Sequence, residues 1–326
     1  MNKIIGIIID KTGGPWPRID ADGNTVSVTQ IDFDAHPTYT GIADELIDDQ
    51  HLVSVPAFYY RAGSVLAGEH AGKKALWISP EPADGFALHP AFHHYGADLA
   101  QFWVGKYQGT PDGDKLGSQP GIKPLARIDF PAMQQAAAAR NGDADTGFML
   151  WSIYQLGAIQ TLVLIECGTP DIKSVLGNGY VDGDGVREVD CAEQVVWRGI
   201  VGLWGNVWQM VDGLQTNSDR EYRIWDAEGN QSYVETDVEA PGDGWFRRRS
   251  TERDQGFDLG AVFLPSSTRD DSDEAPYGNY FWANDNAVAY HGGRWGAGAT
   301  AGLFCLYVYY AASYSGTNIG GRLAKV

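Results

Sequence analysis

Beyond residue 170 the chain carries no long helical period. Gly, Trp, Tyr and turn residues dominate there, which predicts short strands joined by long ordered loops up to the C-terminus. Helices must therefore come from upstream. Residues 131–140 are rich in Ala and Gln, with Pro at the expected first turn and a stop at Asn141-Gly142. Residues 148–164 place Met149, Ile153, Leu156, Ile159 and Val163 at helical spacing, and Cys167-Gly168 with Pro170 supplies a C-terminal stop. Strands are predicted at residues 4–9, 25–31, 52–60 and 102–107. The first is broken by Gly13-Gly14-Pro15. The second alternates after the turn at Asp20–Asn24, and Pro56 places the third at an edge or an end. Two helices set among strands, then an irregular aromatic-rich half, make an α+β pattern. Residues 1–50 read as an N-terminal β segment, too small to bury much alone. It is expected to pack on the main domain, residues 51–326, or on a neighbouring subunit.

Net charge narrows the partners. At -18 the chain opposes nucleic acid, whose phosphates need a basic field, and anionic membrane surfaces. No stretch approaches the roughly 18 apolar residues of a membrane helix. The apolar run near the N-terminus ends at Asp10, too early for a secretory signal, so general export is not encoded in an obvious way. Three cysteines, Cys167, Cys191 and Cys305, give no disulfide framework.

Three motifs follow in order: Phe102–Tyr107 (FWVGKY), Gly205–Asp212 (GNVWQMVD), and His291–Trp295 (HGGRW) closing with Asn318–Leu323 (NIGGRL). Together they resemble the formylglycine-generating-enzyme subclass of the C-type lectin fold, over roughly residues 50–326. Gly321 stands where such proteins usually have Phe. One branch of that subclass is catalytic and binds copper through paired C-terminal cysteines. Here the C-terminal segment has Cys305 alone, and one thiol cannot make a two-thiolate site. A copper-type oxidase of this fold is therefore the weaker alternative, and no catalytic residue is assigned.

The other branch comprises variable proteins of diversity-generating retroelements, including phage receptor-binding proteins. The resemblance implies a variable region at 291–323. Its fixed frame would be His291, Gly292, Gly293, Trp295, Gly298, Ala301, Gly302, Phe304, Leu306, Asn318, Ile319, Gly320 and Arg322. Its ligand-binding positions would be Arg294, Gly296, Ala297, Thr300, Tyr307, Tyr309, Tyr310, Tyr314, Gly316 and Thr317. Adenine-directed mutation in such systems reaches Tyr, Ser, Gly, Ala, Thr, Arg and Asp, and all ten residues fall within that set.

The residues themselves point the same way. From Asn286 to Val326 there is no Asp or Glu, in a chain with 42. Four tyrosines stand among Gly, Ala and Ser, a composition like that of antibody paratopes. Aromatics also favour strands, so by composition alone a tyrosine cluster is more often β packing than a paratope. Alternation predicts Phe304, Leu306 and Val308 inward and Cys305, Tyr307 and Tyr309 outward. Trp151, Trp197, Trp204 and Trp208 are read as core.

Asp182-Gly-Asp-Gly185 could offer oxygens to calcium but lacks the EF-hand spacing, so a plain turn is preferred and no cofactor is assigned. The histidines at 89, 93 and 94 have no ligand set around them and are given surface or packing roles. The run 270–274 is read as a solvated acidic loop. The expected function is recognition of a cell-surface protein or glycan receptor, as a non-enzymatic part of a phage or prophage virion at a tail tip or fibre. It would be cytoplasmic before assembly, with a cell-surface location as the alternative. There is room for a homotrimer or other homo-oligomer. A structural virion subunit making subunit contacts alone is the competing reading.

Overall fold

The computed structural model describes residues 3–10, 14–142 and 146–326. Gly13, part of the predicted break, lies outside the described residues. The architecture is mixed α and β, as predicted. Its centre is the helix Ile153–Cys167, whose residues 153–166 are all buried. A helix apolar on every side belongs inside a core. It starts at Ser152, whose hydroxyl accepts from the Gln155 amide while the Gln155 side chain accepts from the Ser152 amide. It ends at Gly168, in the left-handed region at φ 66°.

This start corrects the predicted helix 148–164. Phe148–Leu150 is a strand paired with the C-terminal strand Leu323–Lys325. A short apolar run fits either structure, and the capping box at Ser152 fixes the boundary. The other helix, Phe130–Ala138, matches its prediction closely and is capped by the Asp129 carboxylate on the Ala132 amide at 2.9 Å. Residues 25–31 are not a strand. Thr29 and Asp32 form a capping box that opens the helix Gln30–Asp34, and Ile31 is left exposed. The alternation there was real but local capping outcompeted it.

Three sheets surround the central helix. One orders Arg18–Ile19, Ile5–Ile8, Lys74–Ser79, Tyr59–Ser64 and Ala87–Leu88. A second orders Phe148–Leu150, Leu323–Lys325, Gln101–Gly105, Gln50–Pro56 and Ala43–Ile47. Residues 1–50 are thus threaded into both. Their last strand, Ala43–Ile47, forms a hairpin with Gln50–Pro56 across the expected junction at residue 50. Arg18 also reaches the central helix, donating from Nε to the Ile165 carbonyl at 2.8 Å.

The third and largest sheet carries the candidate site. In it Trp208–Thr216, Val288–His291, Leu306–Val308 and Tyr280–Ala283 lie side by side. Ile319–Gly320 adds in parallel to Trp208–Thr216. Gly321, in the phenylalanine position, is closely covered. A Cβ there would meet Leu150 at 2.9 Å and Met133 at 3.0 Å, so these two side chains fill the space.

Candidate ligand-binding surface

The residues expected to form the fixed frame are held mainly by partners outside the ten expected binding positions. Gly292 and Gly293 have φ of 92° and 85°, a turn that favours glycine. A Cβ on Gly293 would come 2.5 Å from the Ala301 Cβ, so both residues must stay small. His291 is fully buried, with Nε2 2.8 Å from the Leu303 carbonyl and its ring edge-on to Trp151. Burial pulls its pKa down to about 4, so it is neutral at pH 7. Arg322 is also fully buried. Its guanidinium donates to the Gln209 side chain and to the carbonyls of Gly105, Val201 and Gly202, and lies 5.3 Å from the Trp151 ring. Of the middle motif, Asn206 takes a positive φ and ties its side chain to Gln108 and to the Arg187 backbone.

The segments between frame residues are pinned by main-chain hydrogen bonds. The Trp295 amide donates to Asn206, and its carbonyl accepts from Gly183 at 2.6 Å. Gly298 donates to Val181. Val181 and Gly183 thus brace residues 295–298 through their main chains. Further on, the carbonyls of Tyr310, Ala312 and Gly316 accept from Val288, Phe130 and Arg127. None of these bonds uses a side chain of the expected binding positions.

On this support the ladder sets Tyr307 opposite Trp282 on one side and opposite Tyr290 on the other. Residues opposite each other project to the same face, so the three rings form a row. Tyr290, at one end of the row, is buried. The Trp208 and Trp282 ring centroids stand 5.1 and 5.3 Å from that of Tyr307. Tyr310 lies 5.2 Å from Tyr307, and Tyr314 stacks on Tyr310 at 3.8 Å with planes 24° apart. Burial, followed by the hydrogen bond with Tyr310, raises the Tyr307 pKa, so its hydroxyl stays protonated.

A concavity of about 400 Å³ opens over this row. Seven of the ten expected positions line it: Arg294, Gly296, Ala297 and Thr300 from one segment, Tyr307, Tyr310 and Tyr314 from the other. Tyr309 stands beside it, 39% exposed, with its ring 5.4 Å from Tyr307. Gly316, half-buried, and Thr317, exposed, lie in the loop after Tyr314 and do not line it. Arg294 supplies positive charge, its guanidinium 4.8 Å from the Trp295 ring.

Four lining residues were not among the expected ten. Trp208 had been read as core, and it is buried, but it also borders the concavity. Asn318 and Ile319 had been placed in the frame. Trp282 had no assignment. Its signal was the alternation Tyr280-Phe281-Trp282-Ala283, with Phe281 and Ala283 buried and Tyr280 and Trp282 half-buried.

One further expectation is corrected. Cys305 was predicted to face outward and is fully buried. The strand begins at Leu306, and Cys305 closes a turn by donating its amide to Gly302, so the alternation does not extend to it. Among the described residues no group of three or more His, Cys, Asp or Glu could hold a metal ion. His89 is buried against the Ala261 carbonyl, and His93 pairs with Asp98. Trp151, Trp197 and Trp204 are core, as expected. No helix among the described residues is long and apolar enough to cross a membrane.

No family model matches the chain, and no curated protein matches it in sequence. Among solved structures it is similar to Treponema denticola variable protein 1, with a TM-score of 0.40 and 10% identity over 87% of this chain and 98% of that one. It is similar to PvdO from Pseudomonas aeruginosa, with a TM-score of 0.39 and 11% identity over 87% and 98%. It is also similar to the U1 variant of the Major Tropism Determinant, with a TM-score of 0.32 and 13% identity over 85% of this chain and 63% of that one.

Proposed function

We propose that this protein is a non-enzymatic receptor-binding protein whose concavity around Tyr307 is a diversified recognition surface on a C-type lectin scaffold. One observation carries the reading. Seven positions chosen from two separated stretches of sequence converge on one concave, tyrosine-rich surface, while Ala301, Gly302, Phe304 and Leu306 of the frame between those stretches are buried. Tyr and Trp supply large, stiff contact area with a polar tip, and Gly and Ala let a partner approach closely. The partner is a cell-surface protein or glycan, met by a virion tail tip or fibre. Single-site affinity is modest and is raised by repeated copies. The lone thiol in the C-terminal segment is buried, and burial raises its pKa, which is the opposite of an activated nucleophile or metal ligand. No cofactor is proposed.

The test is adsorption. A protein carrying Tyr307→Ala, Tyr309→Ala and Tyr310→Ala together should fold as the parent does and lose binding to a bacterial surface that the parent binds. Unchanged adsorption would reject the proposal. A second check is genomic. A near-copy of the codons for residues 291–323 should lie beside a reverse transcriptase and differ at adenines.

A further inference from the structure

A second concavity, about 650 Å³, is lined from both the N-terminal sheet and strand Gly244–Arg249. It shares no lining residue with the one around Tyr307. Its volume lies within the range of about 300–1,000 Å³ usual for small-molecule sites. Part of its wall is apolar, from Ile9, Ala62, Ala75 and Tyr277. The rest is basic in a chain of net charge -18: Arg247, Arg248 and Arg249 all line it, together with Lys74.

Three consecutive residues of a regular strand cannot all face one cavity, because side chains alternate. Here the pairing with Pro265–Arg269 shifts register between Phe246 and Arg248 and again between Arg248 and Arg249. Such irregularities re-aim side chains. Arg249 is 9% exposed, and its guanidinium lies 5.0 Å from the Phe263 ring. Its Nε and Nη1 are buried without a hydrogen-bond partner. Elsewhere buried arginine heads are provided for: Arg140 meets Asp48 and Asp112, and Arg322 meets carbonyls on several sides. A buried guanidinium with two unused donors is costly unless an anion completes it. Among the described residues the one carboxylate lining the cavity, Asp10, is engaged with Lys73 at 3.5 Å.

We propose that this cavity binds an amphipathic carboxylate, its head on Arg249 with Arg247 and Arg248 and its hydrocarbon body against Ile9, Ala62, Ala75 and Tyr277. Arginine suits a carboxylate head because its planar fork donates several hydrogen bonds at once. The apolar wall matches a hydrocarbon body, which a purely inorganic anion lacks.

Titration calorimetry of the full chain with decanoate tests the proposal, with decanol and sodium sulfate as controls. Decanoate should bind saturably at one site, and decanol should bind at least tenfold more weakly. Arg249→Met should abolish decanoate binding without lowering the thermal midpoint of the ligand-free protein, since it removes an unpaired buried charge. If that variant fails to fold, Arg247→Ala should still weaken binding at least fivefold. Equal binding of decanol, decanoate binding untouched by both substitutions, or no binding would overturn the proposal. Binding of sulfate but not decanoate would mean an adventitious ion only, and would overturn it as well. Adsorption through Tyr307 should be unaffected by Arg249→Met, so this inference fails or stands apart from the proposed recognition role.

Discussion

Tyr307 lies directly opposite Trp282 in a parallel ladder, with ring centroids 5.3 Å apart. One of the pair belongs to the segment expected to vary and the other to the fixed sheet. If the concavity is the recognition surface, Trp282 should count as much as the tyrosines. Trp282→Ala is expected to weaken receptor binding by about 2 kcal/mol or more, the scale of an aromatic hot spot. Surface plasmon resonance against immobilised receptor would measure it. Affinity within twofold of the parent would remove Trp282 from the surface.

Positions expected to be fixed and positions expected to vary should separate cleanly in stability. Gly293→Ala adds a methyl group into Ala301 at a φ of 85°, and is expected to cost about 1–3 kcal/mol. Tyr309→Ser and Thr317→Asn should each stay within about 0.5 kcal/mol, as exposed changes do. Urea denaturation followed by tryptophan fluorescence distinguishes the two classes. Equal costs for both would mean that residues 291–323 are ordinary β packing.

Arg322→Met should be more damaging. It removes a charge clamped by several carbonyls and leaves their lone pairs buried. A loss of about 3–5 kcal/mol is expected, as when one partner of a buried ionic group is deleted. A thermal midpoint unchanged from the parent would contradict this account of the terminal strand.

Stability should fall in mild acid through two histidines. Burial holds the pKa of His291 at about 4 and of His89 at about 3, below the ordinary 6.5. Between those values the unfolded chain carries protons that the folded chain refuses, so folding weakens as pH drops from about 6.5 toward 4. The slope from these groups approaches two protons per molecule. His291→Gln should lower the slope by about one, read from unfolding free energies between pH 7 and 4. An unaltered slope would show that His291 is protonated in the folded state.

Much of this molecule could be read from residue order, and the failures have local causes. The helix at Phe130–Ala138 announced itself through its Ala and Gln content, Pro131 and the Asn141-Gly142 stop. The start of the central helix was blurred because Phe148, Met149 and Leu150 suit a helix or a strand equally, and their strand partner, Leu323–Lys325, is remote in the chain. At 25–31 the alternation suggested a strand, while the stronger cue, Thr29 with Asp32, lay at its end. The tyrosines of the site were legible because they stand between recognisable motifs. Trp282 was not, because nothing in its own neighbourhood reveals that it pairs with Tyr307.

The main-chain anchoring of residues 295–316 has an evolutionary corollary. Every amino acid except proline brings the same amide N–H, so the pins at Ala297, Thr300 and Tyr314 survive almost any exchange of side chain. Proline is the one letter this alphabet must omit at those places. Descendants of the chain could thus search for new partners by rewriting side chains on a fixed lattice, without having to rediscover how to fold.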